Sequence, residues 1–117
     1  MDTHRVMSGP AFSVIVPVRD DLKFLKRSLP RIERAIDAFG NAELIIVDNG
    51  SRDGSRRWVR QEYGHVASLI SCEDASIGAV RNCGARRAKG EFVCFVDADC
   101  LIEEDHLSRA LQTFRTT

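Results

Sequence analysis

Two aspartates that directly follow an apolar run are the strongest candidates for chemistry in this sequence. Asp97 and Asp99 come after the run Phe92 to Val96, whose β-branched and aromatic residues predict a strand covered on both faces of a parallel sheet. On an extended backbone, side chains two apart point to the same side, and a tight turn also lets them converge on one cation. Carboxylates held this close repel each other unless a cation neutralises them. The pair therefore indicates a site for a hard divalent cation, with a solvated turn as the alternative.

Composition narrows the class of protein. The 117 residues suffice for one domain, and 17 basic side chains balance 17 acidic ones. A chain with no net charge has no electrostatic basis for nonspecific binding to nucleic acid or to an anionic membrane. Its apolar runs fall far short of the ~20 residues of a membrane span, and its start has no signal-peptide core. The four cysteines form no Cys-x-x-Cys pair, so we expect reduced thiols in a cytoplasmic protein.

The remaining apolar runs predict three more strands and four helices. We expect the strands at Phe12 to Val18, at Glu43 to Asp48 and, as a weaker edge strand, at Val66 to Ser71. The helices are expected from Leu22 to Phe39, around Trp58 to Tyr63, from Ile77 to Lys89 and from Glu103 to Thr113. Strands thus alternate with helices along the chain, which predicts a parallel sheet with right-handed crossovers.

The polar residues between these elements predict where the helices begin. Asp20 or Asp21 is expected to cap the first helix, Asp53 or a neighbouring serine the second, and Ser76 the third. Pro30 lies inside the first helix and predicts a kink or a break there.

The predicted fold is a Rossmann-like three-layer α/β/α arrangement with a mainly parallel sheet of about four strands. Such sheets bind ligands at the carboxyl ends of their strands, where Asp97 and Asp99 lie. The chain has neither Gly-x-Gly-x-x-Gly after its first strand nor a P-loop sequence. Both a dinucleotide dehydrogenase and a P-loop enzyme are therefore disfavoured.

Four sequence blocks resemble the nucleotide-binding half of the family 2 glycosyltransferases of the GT-A fold. They are Ser13 to Asp20 (SVIVPVRD), Glu43 to Ser55 (ELIIVDNGSRDGS), Gly78 to Gly84 (GAVRNCG) and Ala88 to Asp99 (AKGEFVCFVDAD). Together they span nearly the whole chain in the order usual for the family. One departure is Arg19-Asp20, where an aromatic or small residue followed by Asn is commoner.

The resemblance implies a role for several residues. The backbone of Pro17, Val18 and Arg19 would flank the nucleotide base, and Asp48 would accept a hydrogen bond from it. Asp97 would face the ribose and share with Asp99 the binding of Mn²⁺ or Mg²⁺ at the diphosphate, with Gly78 and Arg81 near the nucleotide. The implied donor is a UDP- or GDP-sugar, and the implied activity is transfer of its sugar to an acceptor that the sequence does not identify. A glycosyl group transfer of this kind needs a carboxylate base, yet no catalytic residue can be nominated in this chain.

The domain expected from the resemblance is incomplete. Residues 1–10 are expected to form a flexible lead, and residues 11–117 a nucleotide-diphospho-sugar-binding domain truncated after the helix that follows Asp99. The cluster Glu103-Glu104-Asp105 is interpreted as complementing a helix dipole and not as catalytic. We expect the chain alone to be inactive and to form a homo-oligomer through its uncovered apolar surface. The alternative function is a non-catalytic nucleotide-binding or dimerisation module with the same fold.

Overall fold

A computed structural model describes residues 9–116, in which four strands alternate with four helices. The elements are β1 (Phe12–Val18), α1 (Leu22–Phe39), β2 (Ala42–Asp48), α2 (Ser55–Tyr63), β3 (Ala67–Ser71), α3 (Ile77–Arg87), β4 (Phe92–Phe95) and α4 (His106–Thr116). The order predicted from the sequence is confirmed. The flexible lead predicted for residues 1–10 lies mostly outside the described residues.

Three helix ends differ from the prediction, one of them being the end of α4, which lies at Thr116 instead of Thr113. The third helix, α3, ends at Arg87 instead of Lys89. The fourth, α4, begins at His106 instead of Glu103, because the acidic residues form a turn in which the His106 amide donates to the Glu103 carbonyl at 3.1 Å. These acidic side chains therefore precede the helix.

The four strands form one parallel sheet in the order β3-β2-β1-β4. The predicted α/β fold with a parallel sheet is confirmed, as is the position of β3 at an edge. Strand β1 lies between two others, and all seven of its residues are buried. The register pairs Val18 at the end of β1 with Asp48 at the end of β2, so the residues that follow both strands emerge side by side.

Strand β4 is the other edge of the sheet, and the prediction that both its faces are covered is wrong. Val93 and Phe95 are 36% and 43% exposed, whereas Phe92 and Cys94 on the opposite face are half-buried. The register places Phe95 beside Ile15, on the face that carries α3. Because α3 packs over β1 and β2, that face of β4 stays open in the described part of the chain.

Helices cover the two faces of the sheet unequally. Residues of α1, α2 and α4 pack with the larger core on one face, which includes Leu25, Val59 and Leu107. On the other face, α3 packs alone over a smaller core, where Gly84 lets the helix approach Ile15 closely. This three-layer arrangement leaves the carboxyl ends of β1, β2 and β4 clear for the loops that form the candidate site.

Helix α1 runs unbroken through Pro30, so the predicted break is wrong. Pro30 cannot donate a backbone hydrogen bond within the helix, which normally destabilises a helix interior. Here Leu25, Leu29 and Ile32 are completely buried on both sides of the proline, and their packing stabilises the helix before and after it. Ser28 is buried inside the helix and does not cap a second segment.

Asp53 connects the beginnings of two helices. Its Oδ2 accepts a hydrogen bond from the Leu22 amide at the start of α1 at 3.0 Å, and its Oδ1 accepts from the Ser55 amide at 2.9 Å and from the Ser55 hydroxyl. Asp21 occupies the cap position of α1 but its side chain makes no cap bond, since it accepts from the Arg19 amide instead. The prediction that Asp20 or Asp21 caps α1 is therefore wrong, whereas Asp53 serves both α1 and α2.

Replacing Asp53 with alanine is expected to lower the free energy of unfolding by about 1 kcal/mol at neutral pH, the typical loss for a helix-capping side chain. Burial opposes ionisation of this group, but the hydrogen bonds from Ser55 and Leu22 outweigh it and lower the pKa of Asp53 below 3.8. A lowered pKa in the folded state means that the stabilisation is present above pH 3.8 and is lost as the pH falls through the folded value.

Urea unfolding of the wild-type chain and the Asp53→Ala variant between pH 6 and pH 3 measures this effect. The difference in stability should shrink in the acidic part of that range. Asp37→Ala, at an exposed position of α1, removes the same charge and serves as the control. A difference for Asp53→Ala that stays constant with pH would show that ionisation of Asp53 contributes nothing.

Candidate functional site

A pocket of about 220 Å³ lies at the carboxyl ends of β1, β2 and β4. It is lined by Pro17, Val18, Arg19, Asp21, Asn49, Ile77, Val80, Asp97, Ala98 and Asp99. Three loops and the first turn of α3 contribute to it, because parallel strands bring the loops that follow them to one edge of the sheet. Of the residues predicted from the sequence, the pocket gathers Pro17, Val18, Arg19, Asp97 and Asp99.

The two aspartates lie on a tight turn, one of the two geometries considered from the sequence. The Val96 amide donates to the Ile15 carbonyl at 3.0 Å, and the Cys100 amide then donates to the Asp97 carbonyl at 2.9 Å. Val96 and Ala98 are buried, whereas Asp97 and Asp99 are exposed and line the pocket. The alternation of apolar and acidic residues thus fixes the turn to the core while both carboxylates face the pocket.

Arg81 extends from α3 to the Asp97 carboxylate. Its Nη2 lies 3.7 Å from Asp97 Oδ1, and its guanidinium carbon lies 5.6 Å from the centre of the Phe95 ring. Stacking on an aromatic face restricts where the guanidinium can lie. Its Nε is buried and makes no hydrogen bond with any described residue. Arg81 is therefore a cationic neighbour of the pocket with one donor still available.

Gly78, the other predicted residue of α3, is exposed in the first turn of the helix. A Cβ atom built on it would meet only Ser76 Oγ, at 4.0 Å. Ser76 caps α3 as predicted, since its Oγ accepts from the Ala79 amide at 3.1 Å. Gly78 does not line the pocket, but it adjoins Ile77, which does.

Asp48, like Gly78 and Arg81, is a predicted site residue that does not line the pocket. Its side chain is only 1% exposed, and Oδ2 accepts from the Ser51 amide at 3.2 Å and lies 3.6 Å from Arg56 Nε. Its Oδ1 is buried and has no hydrogen-bond partner among the described residues. Asp48 nevertheless adjoins the pocket through two neighbours, Val18 across the sheet and Asn49 along the chain.

Sequence reasoning missed five pocket residues: Asp21, Asn49, Ile77, Val80 and Ala98. Asn49 binds the loop before α3, because its Nδ2 donates to the Ala75 carbonyl at 2.9 Å and its Oδ1 accepts from the Ala75 amide at 3.0 Å. Ile77, an apolar residue in the first turn of α3, is 58% exposed at the pocket. The position of Asn49 directly after a strand was a usable signal, whereas nothing in the sequence distinguished Ile77 from a core residue.

Asp21 adds a third negative charge to the pocket. Burial raises its pKa, a hydrogen bond from the Arg19 amide opposes that change, and the negative charges of Asp99, Asp53 and Asp20 raise the pKa further. Repulsion from nearby carboxylates thus adds to burial in disfavouring the ionisation of Asp21. A cation bound there would relieve this repulsion.

The residues present fit a divalent cation that also binds a diphosphate. In the described residues, no group of three or more His, Cys, Asp or Glu side chains is arranged to hold a metal ion by itself. Mg²⁺ and similar ions are commonly held by one or two carboxylates together with substrate phosphates and water. Asp97 and Asp99 supply such a pair of hard oxygen ligands at one pocket.

An open parallel α/β sheet with a pocket at the carboxyl ends of its strands is typical of the class of α/β domains that bind ligands at that edge. Comparison with known proteins identifies the family within that class. Residues 13–117 match the sequence model of "Glycosyl transferase family 2". The chain therefore belongs to glycosyl transferase family 2.

Three similar proteins illustrate the match. The putative glycosyltransferase EpsH of Bacillus subtilis is 34% identical over 110 residues, which cover 92% of this chain and 31% of EpsH. The crystal structure of Staphylococcus aureus TarS residues 1–349 in complex with UDP superposes with a TM-score of 0.75 at 27% identity, covering 90% of this chain and 32% of that one.

The third is the mannosyltransferase PcManGT from Pyrobaculum calidifontis in complex with GDP-Man and Mn²⁺, with a TM-score of 0.75 at 28% identity, covering 89% of this chain and 32% of that one. This chain thus spans about a third of the length of EpsH and of each of the two chains of known structure. The expected fold and family are confirmed. Among the described residues, no helix is long and apolar enough to cross a membrane.

Proposed function

We propose that this chain forms the donor-binding part of a glycosyltransferase that transfers a sugar from a nucleotide-diphosphate donor to an acceptor. The observation that carries the proposal is the pocket that gathers Pro17, Val18 and Arg19 of one loop with Asp97 and Asp99 of another. Its size, about 220 Å³, suits part of a nucleotide better than a whole nucleotide-sugar. Further parts of the donor would then extend beyond the pocket.

The proposed roles follow the positions of the side chains. Backbone and side-chain atoms from Pro17 to Arg19 would flank the base, and Asp48 would accept a hydrogen bond from it. Since Asp48 Oδ1 is buried, binding a base would have to uncover it. Asp97 would face the ribose, and Gly78 and Arg81 would lie beside the phosphates, with the buried Arg81 Nε as a free donor.

Asp97 and Asp99 would hold Mn²⁺ or Mg²⁺ at the diphosphate. When bound, such an ion neutralises the negative charge that builds up on a leaving nucleoside diphosphate. The mannosyltransferase from Pyrobaculum calidifontis, whose structure contains GDP-Man and Mn²⁺, supports this choice of cofactor and a UDP- or GDP-sugar as donor. We further propose a cytoplasmic location, which the free state of the four cysteines supports.

Calorimetric titration of the 117-residue chain with UDP and with GDP, each with and without Mn²⁺, tests the proposal. We expect one of the two nucleotides to bind, and to bind more tightly when Mn²⁺ is present. A nucleotide affinity that is the same with and without Mn²⁺ would argue against the cation site. If neither nucleotide binds under any condition, the donor-binding role is refuted.

The open face of β4 supports a second candidate, a dimerisation module with the same fold. Val93 and Phe95 are exposed there, and Phe114 of α4 is 47% exposed although its ring stacks on Phe92 at 4.7 Å. An uncovered strand edge beside apolar side chains favours association with a second copy.

We expect the 117-residue chain to be a homo-oligomer in solution and to transfer no sugar by itself. Multi-angle light scattering at tens of micromolar measures the first part, and a Val93→Lys, Phe95→Lys double variant should then be monomeric, because charges on an edge strand oppose pairing. A monomeric wild-type chain would contradict the association. Turnover of a nucleotide-sugar by the purified chain would contradict the second part.

A further inference from the structure

The side chain of Arg56 connects the carboxyl ends of β2 and β3. It is in the first turn of α2, and its Nε lies 3.6 Å from Asp48 Oδ2. Its Nη2 donates to the Ser71 hydroxyl and lies 3.4 Å from Glu73 Oε1. Asp48 and Ser71 are paired in the register of β2 and β3. The guanidinium thus contacts three side chains, those of Asp48, Ser71 and Glu73.

The two oxygens of Asp48 have different environments. Oδ2 is occupied by the Ser51 amide and by Arg56, whereas Oδ1 is buried and has no partner among the described residues. A buried charged group without a full set of partners is costly, and a cation held beside it offsets part of that cost. Arg56 is that cation, since its side chain is only 35% exposed and directly adjoins the carboxylate.

We infer that Arg56 is a positioning residue for nucleotide binding that acts through Asp48. By holding Oδ2, it leaves Oδ1 unpaired, so that Oδ1 can accept a hydrogen bond from the base once binding uncovers it. A carboxylate that can only accept selects bases with an N–H donor on the recognised edge, such as uracil and guanine. This inference rests on the proposed function, in which Asp48 recognises the base.

Calorimetric titration of an Arg56→Gln variant with UDP and GDP in the presence of Mn²⁺ tests the inference. We expect the affinity for whichever nucleotide the wild-type chain binds to fall about tenfold, as is typical for breaking a coupled pair. Arg56→Lys, which keeps the charge but not the planar fork, should recover part of that loss. Arg57→Gln at the exposed neighbouring position removes the same charge and should leave the affinity unchanged.

A double-mutant cycle distinguishes a positioning role of Arg56 toward Asp48 from a general effect of the Arg56 substitution on folding. If Arg56 acts through Asp48, Arg56→Gln should cause no further loss of affinity in an Asp48→Asn background. An equal loss in both backgrounds would overturn the inference, as would unchanged affinity of the Arg56→Gln single variant. If the wild-type chain binds neither UDP nor GDP, the proposed function fails and the inference fails with it. If the wild-type chain binds a nucleotide but the Arg56→Gln variant binds it equally well, only the inference fails. The two failures are therefore distinguishable.

Discussion

Replacing Asp99 with asparagine is expected to remove the gain in nucleotide affinity that Mn²⁺ provides while the chain stays folded. Asparagine has nearly the same shape as aspartate, but a neutral amide cannot balance the charge of the cation. Asp99 is exposed and makes no contribution to the buried core, so the substitution should leave the unfolding transition in place. The substitution should therefore lower the nucleotide affinity in the presence of Mn²⁺ but not the free energy of unfolding.

The measurement is a calorimetric titration of UDP or GDP with and without Mn²⁺. For Asp99→Asn the two affinities should become equal, which for a directly bound ligand corresponds to a loss of about 10- to 100-fold in the presence of the cation. Asp105→Asn is the matched control, since it removes the same charge from an exposed side chain paired with Arg109. A Mn²⁺-dependent gain that survives in Asp99→Asn would assign the cation to other groups.

Much of the fold could be predicted from the sequence because local patterns and packing agree. The continuous apolar runs of β1 and β2 indicate central strands, and both are largely buried. The same reasoning was wrong about β4, whose equally apolar run lies at an edge. An apolar run predicts that the side chains of a strand are covered in the assembled protein, but it does not identify the residues that cover them.

The helix beginnings show a second limit of sequence reasoning. A capping residue is normally sought directly before its helix, and Asp21 fits that expectation for α1. The bond actually comes from Asp53, far along the chain, because the loops after β1 and β2 emerge side by side. Contacts of this kind depend on the register of the sheet, which the sequence does not display.

The site residues were predictable to the extent that they lie on the loops after strands. Asp97 and Asp99 were placed by that rule and Pro17 to Arg19 by the resemblance to family 2 glycosyltransferases, and the pocket contains all five. Asp48 also lies at the end of a strand, but its carboxylate accepts from the Ser51 amide and pairs with Arg56 instead of lining the pocket. The partners of a residue at a strand end depend on the conformation of the loop that follows it, which the sequence does not display.

Gly90 is expected to tolerate a larger residue poorly, because the backbone of β1 lies against it. A Cβ atom built on Gly90 would lie 2.5 Å from the Ser13 amide nitrogen and 2.6 Å from the Phe12 carbonyl carbon. The Gly90 amide also donates to Ser13 Oγ at 2.8 Å, and the Lys89 amide donates to Glu43 Oε2 at 2.6 Å. This network fixes the start of β4 against β1.

Gly90→Ala should therefore lower the free energy of unfolding by about 3 kcal/mol, the upper part of the range for forced overpacking, because the backbone of β1 cannot move aside alone. Gly78→Ala is the matched control for stability, since a Cβ atom there has open space and alanine favours a helix by about 1 kcal/mol over glycine. Urea unfolding of both variants measures the contrast.

The Gly90→Ala substitution also tests whether the edge strand β4 positions the candidate site. Strand β4 leads directly into the turn that carries Asp97 and Asp99, and its pairing with β1 extends from Phe92 to Phe95. If alanine at Gly90 displaces the start of the strand, both carboxylates should shift relative to Pro17 and Val18, and Mn²⁺-dependent nucleotide affinity should fall even where the variant is fully folded. Wild-type stability in Gly90→Ala would show that the close approach to Ser13 is relieved at little cost, and the link between β4 and the site would lose its basis.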